Sequence, residues 1–230
     1  GVANFCMTLV GLILMRSWLS LIYFEKYCLL SMLKYAAPLV PSTAAFWVLN
    51  SSASIFLDYF HSKDELGLFQ VALSISSVMA ILRMPFRMAY QPLAFSMFKE
   101  KGANDFFAII LHVYSILYIT IAFTFAISSD ILLIIFTQEA YYAASFCLGI
   151  LFFTRIIMNY ELVVGLGNHL AKDPKPYTTA VFIAAGVTLV LFFVFIPVLG
   201  KEGAALGMLL GQLVVPIYIY KIFSWVLRIS

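Results

Sequence analysis

The sequence predicts an all-α integral membrane protein, a polytopic bundle of transmembrane helices. Of its 230 residues, 63% are hydrophobic and only 11% are charged, whereas soluble domains average roughly 45–50% apolar and about 25% charged residues. Long apolar stretches recur between charged and turn residues, and none shows the alternation of a β-barrel strand. A helix needs about 20 mostly apolar residues to cross the bilayer. Each of these stretches is therefore a candidate transmembrane helix.

Seven apolar stretches are predicted to span the membrane. They cover residues 1–15, 36–60, 67–96, 106–128, 139–166, 177–197 and 203–221. Stretches that are hydrophobic on all sides indicate helices, since a helix satisfies its own backbone hydrogen bonds in hydrocarbon and an open sheet cannot. The first stretch lacks the basic start and cleavage site of a signal peptide, so the chain is expected to begin inside a longer protein.

Residues 16–35 differ from the spans because charges interrupt their apolar side chains. Arg16, Glu25, Lys26 and Lys34 are interspersed with Leu, Ile, Phe and Tyr, which is typical of a helix lying in the membrane interface. We interpret this segment as a linker helix between two bundles, with an eighth short span as the alternative.

Lysine and arginine in the connections predict the orientation. One set of alternate connections contains only Lys63 and Lys201, and the other contains nine basic residues. These nine are Arg16, Lys26, Lys34, Lys99, Lys101, Lys172, Lys175, Lys221 and Arg228. Because cytoplasmic loops carry the excess of basic residues, the linker, the 97–105 and 168–176 loops and the carboxy terminus are predicted to be cytoplasmic.

Several functional classes are not supported by the sequence. The net charge of +3 is dispersed, so nucleic acid is not an expected partner. Cys6, Cys28 and Cys147 are odd in number and far apart, which favours neither a disulfide framework nor a zinc site. No catalytic constellation, nucleotide-binding glycine loop or metal-ligand spacing is present. Catalytic residues, a metal and a cofactor are therefore not predicted, and the chain is not expected to be an enzyme.

Arg83 and Arg87 lie inside a predicted span. An arginine at mid-helix costs about 2.5–3.5 kcal/mol on insertion scales, so such residues tend to face a protein interior or a watery cavity. Arg83 and Arg87 are four residues apart and share a helix face, which Ser76 and Gln91 continue. We expect this face to line a cavity and to bind an anionic group such as phosphate. The alternative is that the arginines snorkel to the interface or pair for structure.

A third arginine, Arg155, lies in another span, with Asn159 one turn away. We include both residues in the predicted substrate-binding cavity. Glu161 follows Arg155 by six residues, about 240° around the helix, so the two cannot pair within it. At least one of them is expected to have an interhelical partner. Glu161 is predicted either to pair with Arg83 or Arg87 or to serve as a coupling carboxylate.

Four segments in order suggest a known family. The block LKYAAPLVPSTAAFWVLNSSASIFLDYF from Leu33 joins a basic linker to a paired-proline helix, and GLFQVALSISS from Gly67 precedes AYQPLAFS from Ala89. The acidic, tyrosine-rich EAYYAAS at Glu139 and FIPVLGKEGAALGMLLGQL from Phe195 follow. Their order and spacing resemble the polysaccharide (O-antigen type) flippases of the multidrug/oligosaccharidyl-lipid/polysaccharide exporter superfamily.

The resemblance implies a fold of two bundles and roughly twelve helices around a central cavity. Residues 36–221 would be the six-helix second bundle, 1–15 the last helix of a truncated first bundle, 16–35 the cytoplasmic linker helix and 222–230 a cytoplasmic tail. Many relatives carry an Asp-Arg pair after the Asn-Ser-Ser stretch, where this chain has Ala53, Ser54 and Ile55. Any role of that pair cannot be transferred.

The resemblance also implies a function, which is to flip a lipid-diphosphate-linked oligosaccharide across the bacterial cytoplasmic membrane by alternating access, for surface polysaccharide and lipopolysaccharide synthesis. The implied partners are a polyprenyl-diphosphate-linked oligosaccharide, membrane lipids, a polysaccharide polymerase and the chain-length machinery. The alternatives are a cation-coupled multidrug or small-molecule exporter of the same superfamily, a membrane-embedded polymerase or glycosyltransferase, and a structural subunit with no transport of its own.

Overall fold

A computed structural model describes residues 6–8, 10–11, 14, 26–37, 39–97, 100, 102–164 and 175–227 of the chain. These residues are almost entirely helical, and no strand occurs among them. The predicted helical class is therefore confirmed for this part of the chain. Contacts divide the chain into two compact units, Gly1–Ala37 and Pro38–Ser230.

The first unit contains one long described helix, and the second contains seven further α-helices and a short 3-10 helix. In chain order they are α1 (Lys26–Ala36), α2 (Leu39–Phe60), α3 (Lys63–Ser76), α4 (Met79–Met97), α5 (Ala103–Ile127), α6 (Ser129–Phe136), the 3-10 helix (Glu139–Ala144), α7 (Ser145–Val164) and α8 (Lys175–Leu227). Of the predicted linker 16–35, residues 26–35 lie in α1. Residues 16–25 lie outside the described residues. Residues 165–174 and 228–230 also lie outside them.

Five helical segments are long and apolar enough to cross a membrane, among the residues described. They are Val40–Phe60, Lys63–Met97, Asp105–Ile127, Glu139–Asn159 and Pro176–Lys221. The fifth has 46 residues, more than twice the roughly 20 residues that one crossing needs. The chain is thus consistent with a multipass membrane protein.

The helix expected over residues 67–96 is divided between Ser76 and Met79, although Lys63–Met97 together form one candidate membrane span. The α3 helix ends at Ser76 and α4 begins at Met79. Between them the amides of Ser77 and Val78 donate three residues back, to the carbonyls of Ser74 and Ile75, at 3.1 Å each. This tighter turn separates Ser76 from the helix that carries Arg83.

The α8 helix reverses direction at Gly200. This residue has φ 57° and ψ −129°, a conformation that L side chains rarely adopt and glycine adopts freely. Its two arms, residues 175–199 and 201–227, run antiparallel, because Gly203, Gly207 and Gly211 face Phe195, Phe192 and Thr188 respectively. Glycines four residues apart share a helix face and let two backbones approach closely in a membrane. The apolar stretches predicted at 177–197 and 203–221 are these two arms.

The described apolar core is continuous at one end of the second unit and divided at the other. At the Gly200 end, one cluster joins α2, α3, α4, α6, α7 and both arms of α8. At the opposite end, where α8 begins at Lys175, one cluster contains only α2 and α8, and another contains only α4, α5 and α7. These two clusters have no helix in common. We call the two ends the Gly200 end and the Lys175 end.

Candidate functional site

The polar residues of interest lie where the continuous core gives way to the two separate clusters. Arg155 on α7 donates from Nε to the Ser76 hydroxyl at 3.3 Å, and this contact links α7 to the last residue of α3. Ser76 is fully buried and Arg155 is half-buried. Arg155 therefore has an interhelical partner, as predicted for at least one of Arg155 and Glu161, and this partner is a hydroxyl group.

Among the described residues, no acidic side chain pairs with Arg155. Its second contact runs from Nη1 to the Met158 sulfur at 3.7 Å, which is a weak acceptor. Within the described part of the chain, no carboxylate lies within ion-pairing distance of the guanidinium. An unneutralised guanidinium inside an apolar bundle has donors left for an anionic ligand, because it carries five N–H groups.

Two buried carboxamides lie on α7 and on the second arm of α8. Asn159 follows Arg155 one turn later on α7 and is 3% exposed, and Gln212 on the second arm of α8 is 2% exposed. In both side chains the amide nitrogen is buried and has no hydrogen-bond partner among the residues that the structure describes. Gln212 was not anticipated from the sequence, although an amide in the middle of the apolar stretch 203–221 is a signal that could have identified it.

Asn159 and Gln212 lie at about the same depth in the bundle. The Cys147 thiol contacts the Lys201 carbonyl at 3.6 Å, and from that contact α7 and the second arm run toward the Lys175 end. Asn159 follows Cys147 by twelve residues and Gln212 follows Lys201 by eleven, which places both about 16–18 Å along. We call Ser76, Arg155, Asn159 and Gln212 the polar junction.

The other predicted site residues lie on α4, beyond the polar junction toward the Lys175 end. Arg83 is half-buried and Arg87 is exposed. Arg87 donates from Nε to Gln91 Oε1 at 3.4 Å, so these two residues do share a helix face as predicted. No described contact joins Arg83 or Arg87 to Arg155. The side chain of Glu161 lies outside the described residues, and its predicted roles remain predictions.

An aromatic stack holds α4 against α5 in this region. Phe86 and Tyr114 have ring centroids 4.4 Å apart, and Tyr114 stacks on Tyr118 at 4.0 Å. The Tyr118 hydroxyl donates to the Leu82 carbonyl at 3.0 Å. Aromatic pairs of this kind add about 0.5–1.5 kcal/mol beyond their buried area. The stack fixes the part of α4 that carries Arg83 and Arg87.

A polar network at the Gly200 end was also missed, because Lys201 and Glu65 were assigned to solvated connections. Glu65 accepts two hydrogen bonds from Lys201, one from its backbone amide and one from Nζ, both at 3.1 Å. The Lys201 ammonium also pairs with Glu202 at 3.2 Å, and His61 Nε2 contacts the Ile196 carbonyl at 2.7 Å. We call this the Glu65 staple. It fixes α3 to the reversal of α8.

An open apolar groove of about 470 Å³ lies between α2, from Pro41 to Val48, and the first arm of α8, from Phe182 to Leu189. None of the predicted site residues lines it. Within the described ranges, no group of histidine, cysteine, aspartate or glutamate side chains is arranged to hold a metal ion. The polar junction is therefore the candidate functional site.

Comparison with known proteins adds no assignment to this geometry: no family model, no curated protein and no solved structure matches the chain.

Proposed function

We propose that this chain is part of a multipass transporter of the bacterial cytoplasmic membrane that flips a polyprenyl-diphosphate-linked oligosaccharide between leaflets. The observation that carries the proposal is the half-buried Arg155, which is bonded to the Ser76 hydroxyl and has no described carboxylate partner. A guanidinium in this state matches a diphosphate through charge-assisted, bidentate hydrogen bonds. The order of sequence motifs that resembles polysaccharide flippases supports the same substrate.

The packing of the core supports alternating access. A transporter must be closed at one end of its bundle while it admits substrate at the other. Here the apolar core is continuous at the Gly200 end and divided at the Lys175 end. The distribution of lysine and arginine assigns the Lys175 end to the cytoplasm, where lipid-linked sugars are assembled before they are flipped. The polar junction would then be reached from the cytoplasmic side.

In this proposal six membrane crossings come from the second unit. They are α2, α3 with α4, α5, the 3-10 helix with α7, and the two arms of α8. Arg83, Arg87 and Gln91 line the path between the cytoplasm and the polar junction, and Glu161 contributes coupling or pairing. The preceding helices of the full protein would supply the other wall of the cavity.

The test is translocation of lipid-linked oligosaccharide by the full-length protein in vesicles. We expect Arg155→Ala to reduce the rate at least tenfold, since one charged hydrogen bond contributes about 1.5–3 kcal/mol, and Arg155→Lys to retain part of it. Arg83→Ala should reduce transport less, with Arg83→Lys partly restoring it, and Arg87→Ala should have the smallest effect because Arg87 is exposed.

Lys63→Ala is the matched control, because Lys63 is an exposed cation at the start of α3, away from the polar junction. Its rate should equal that of the wild type. Near-normal transport by all of the arginine variants would contradict the anion site, and a wild-type protein that moves no lipid-linked sugar would contradict the proposed function itself.

A further inference from the structure

We propose that Asn159 and Gln212 form a carboxamide pair that binds the first sugar of the lipid-linked substrate, next to the diphosphate held by Arg155. This inference rests on the proposed function and deepens it. It assigns Gln212 a role that the sequence did not suggest. It also separates the site into a cationic part for the diphosphate and a neutral part for the sugar.

Both amide nitrogens are buried donors without a partner among the described residues. A buried N–H group without an acceptor destabilises the fold. Two such groups at one depth, on adjacent helices that run in the same direction, have donors available to an acceptor that the described residues do not supply. Hydroxyl and acetamido oxygens of a sugar are neutral acceptors of this kind.

Other polar side chains of the bundle differ from these two amides. The hydroxyl of Thr188 donates to the Ala184 carbonyl at 2.7 Å, and that of Thr154 donates to the Ile150 carbonyl at 3.1 Å. Asn50 does the same with its amide nitrogen, which donates to the Phe46 carbonyl at 2.8 Å. These groups are satisfied within their own helices, so the two open donors of the polar junction are not a general property of amides in this bundle.

The positions of the two amides along their helices also support the proposal. Asn159 lies one helical turn, about 6 Å, from Arg155 on the same helix, and Gln212 lies at the same depth on the second arm of α8. A diphosphate held by Arg155 would place its attached sugar beside Asn159, at the depth of Gln212. Because neither amide is charged, their N–H groups can donate to the neutral hydroxyl and acetamido oxygens of a sugar.

The experiment measures binding of two probes to the purified full-length protein: polyprenyl diphosphate, and the same lipid carrying one N-acetylglucosamine. We expect Gln212→Leu and Asn159→Leu each to weaken binding of the sugar-bearing probe about three- to tenfold, the effect of losing one hydrogen bond. Binding of the bare diphosphate lipid should be unchanged. Gln212→Met provides a second variant of similar length that fits irregular packing.

Asn50→Leu is the matched control, because its amide nitrogen already has a partner in its own helix, and it should leave the affinity ratio of the two probes unchanged. Equal affinity of the wild type and both amide variants for the sugar-bearing probe would overturn the sugar-binding role. A loss that is equal for both probes would also overturn it, as a general effect on the site. Failure of the wild type to bind either probe would instead count against the proposed function.

Discussion

The Gly200 end and the Lys175 end of the bundle satisfy their polar groups in opposite ways. At the Gly200 end the Glu65 carboxylate bonds both the amide and the ammonium of Lys201, within a continuous apolar core. Toward the Lys175 end the core divides, and the amides of Asn159 and Gln212 have no described partner. Polar residues thus join helices at the first end, and near the second two of them have donors without a described partner.

This contrast has an energetic consequence. Removing a paired polar group leaves its partner unsatisfied and destabilises the protein, whereas replacing an unpaired donor by an apolar side chain of the same shape is neutral or stabilising. Substitutions at the two ends should therefore change stability in opposite directions. Thermal unfolding of the detergent-solubilised protein measures these changes in stability.

The largest effect is expected at the hairpin of α8. In Gly203→Ala the added methyl group would overlap the Phe195 carbonyl, a backbone atom that cannot rotate away. The two arms would have to separate, so we expect a loss of about 3 kcal/mol or more, or failure to fold. Gly186→Ala is the control in the same helix, because nothing lies within 4 Å of its added carbon, and it should be neutral or slightly stabilising. Equal stability of the two variants would contradict the close packing of the arms.

An intermediate effect is expected for the Glu65 staple. In Lys201→Met the Glu65 carboxylate loses its ammonium partner, and the two side chains are only 11% and 30% exposed. We expect a loss of about 1–3 kcal/mol, at the lower end because Glu65 is partly solvated and keeps the Lys201 amide. The control is Lys63→Met, because Lys63 is an exposed lysine at the start of α3. This substitution should cost less than about 0.5 kcal/mol. A Lys201 variant as stable as the wild type would show that the staple does not hold the Gly200 end.

The smallest effect, and of the opposite sign, is expected at the polar junction. The double variant Asn159→Leu, Gln212→Leu removes two unpaired donors and should leave unfolding unchanged or raise stability by up to about 1 kcal/mol. Asn50→Leu breaks a satisfied hydrogen bond and should lower it by about 1 kcal/mol. If the double variant were clearly less stable than Asn50→Leu, the two amides would be structural, and the comparison between the ends would fail.

The sequence predicted the helical class and the approximate positions of the apolar helices, because hydrophobic length alone reports which segments suit a bilayer. The stretches 36–60, 106–128 and 139–166 correspond closely to described helices. It also identified Arg87 and Gln91 as neighbours, since residues four apart on one helix meet regardless of the tertiary fold. The break at Ser77 was missed because tight turns inside an apolar stretch carry no hydrophobic signal.

For the candidate site, the sequence by itself determined which polar residues lie within apolar helices: Arg83, Arg155 and Asn159 are unusual there whatever the fold. Only the tertiary structure decided their partners. Ser76 meets Arg155 across 79 positions of sequence, and Glu65 meets Lys201 across 136. Periodicity describes one helix at a time, whereas these contacts depend on the reversal at Gly200 and on the division of the core, which arise from the packing of several helices together.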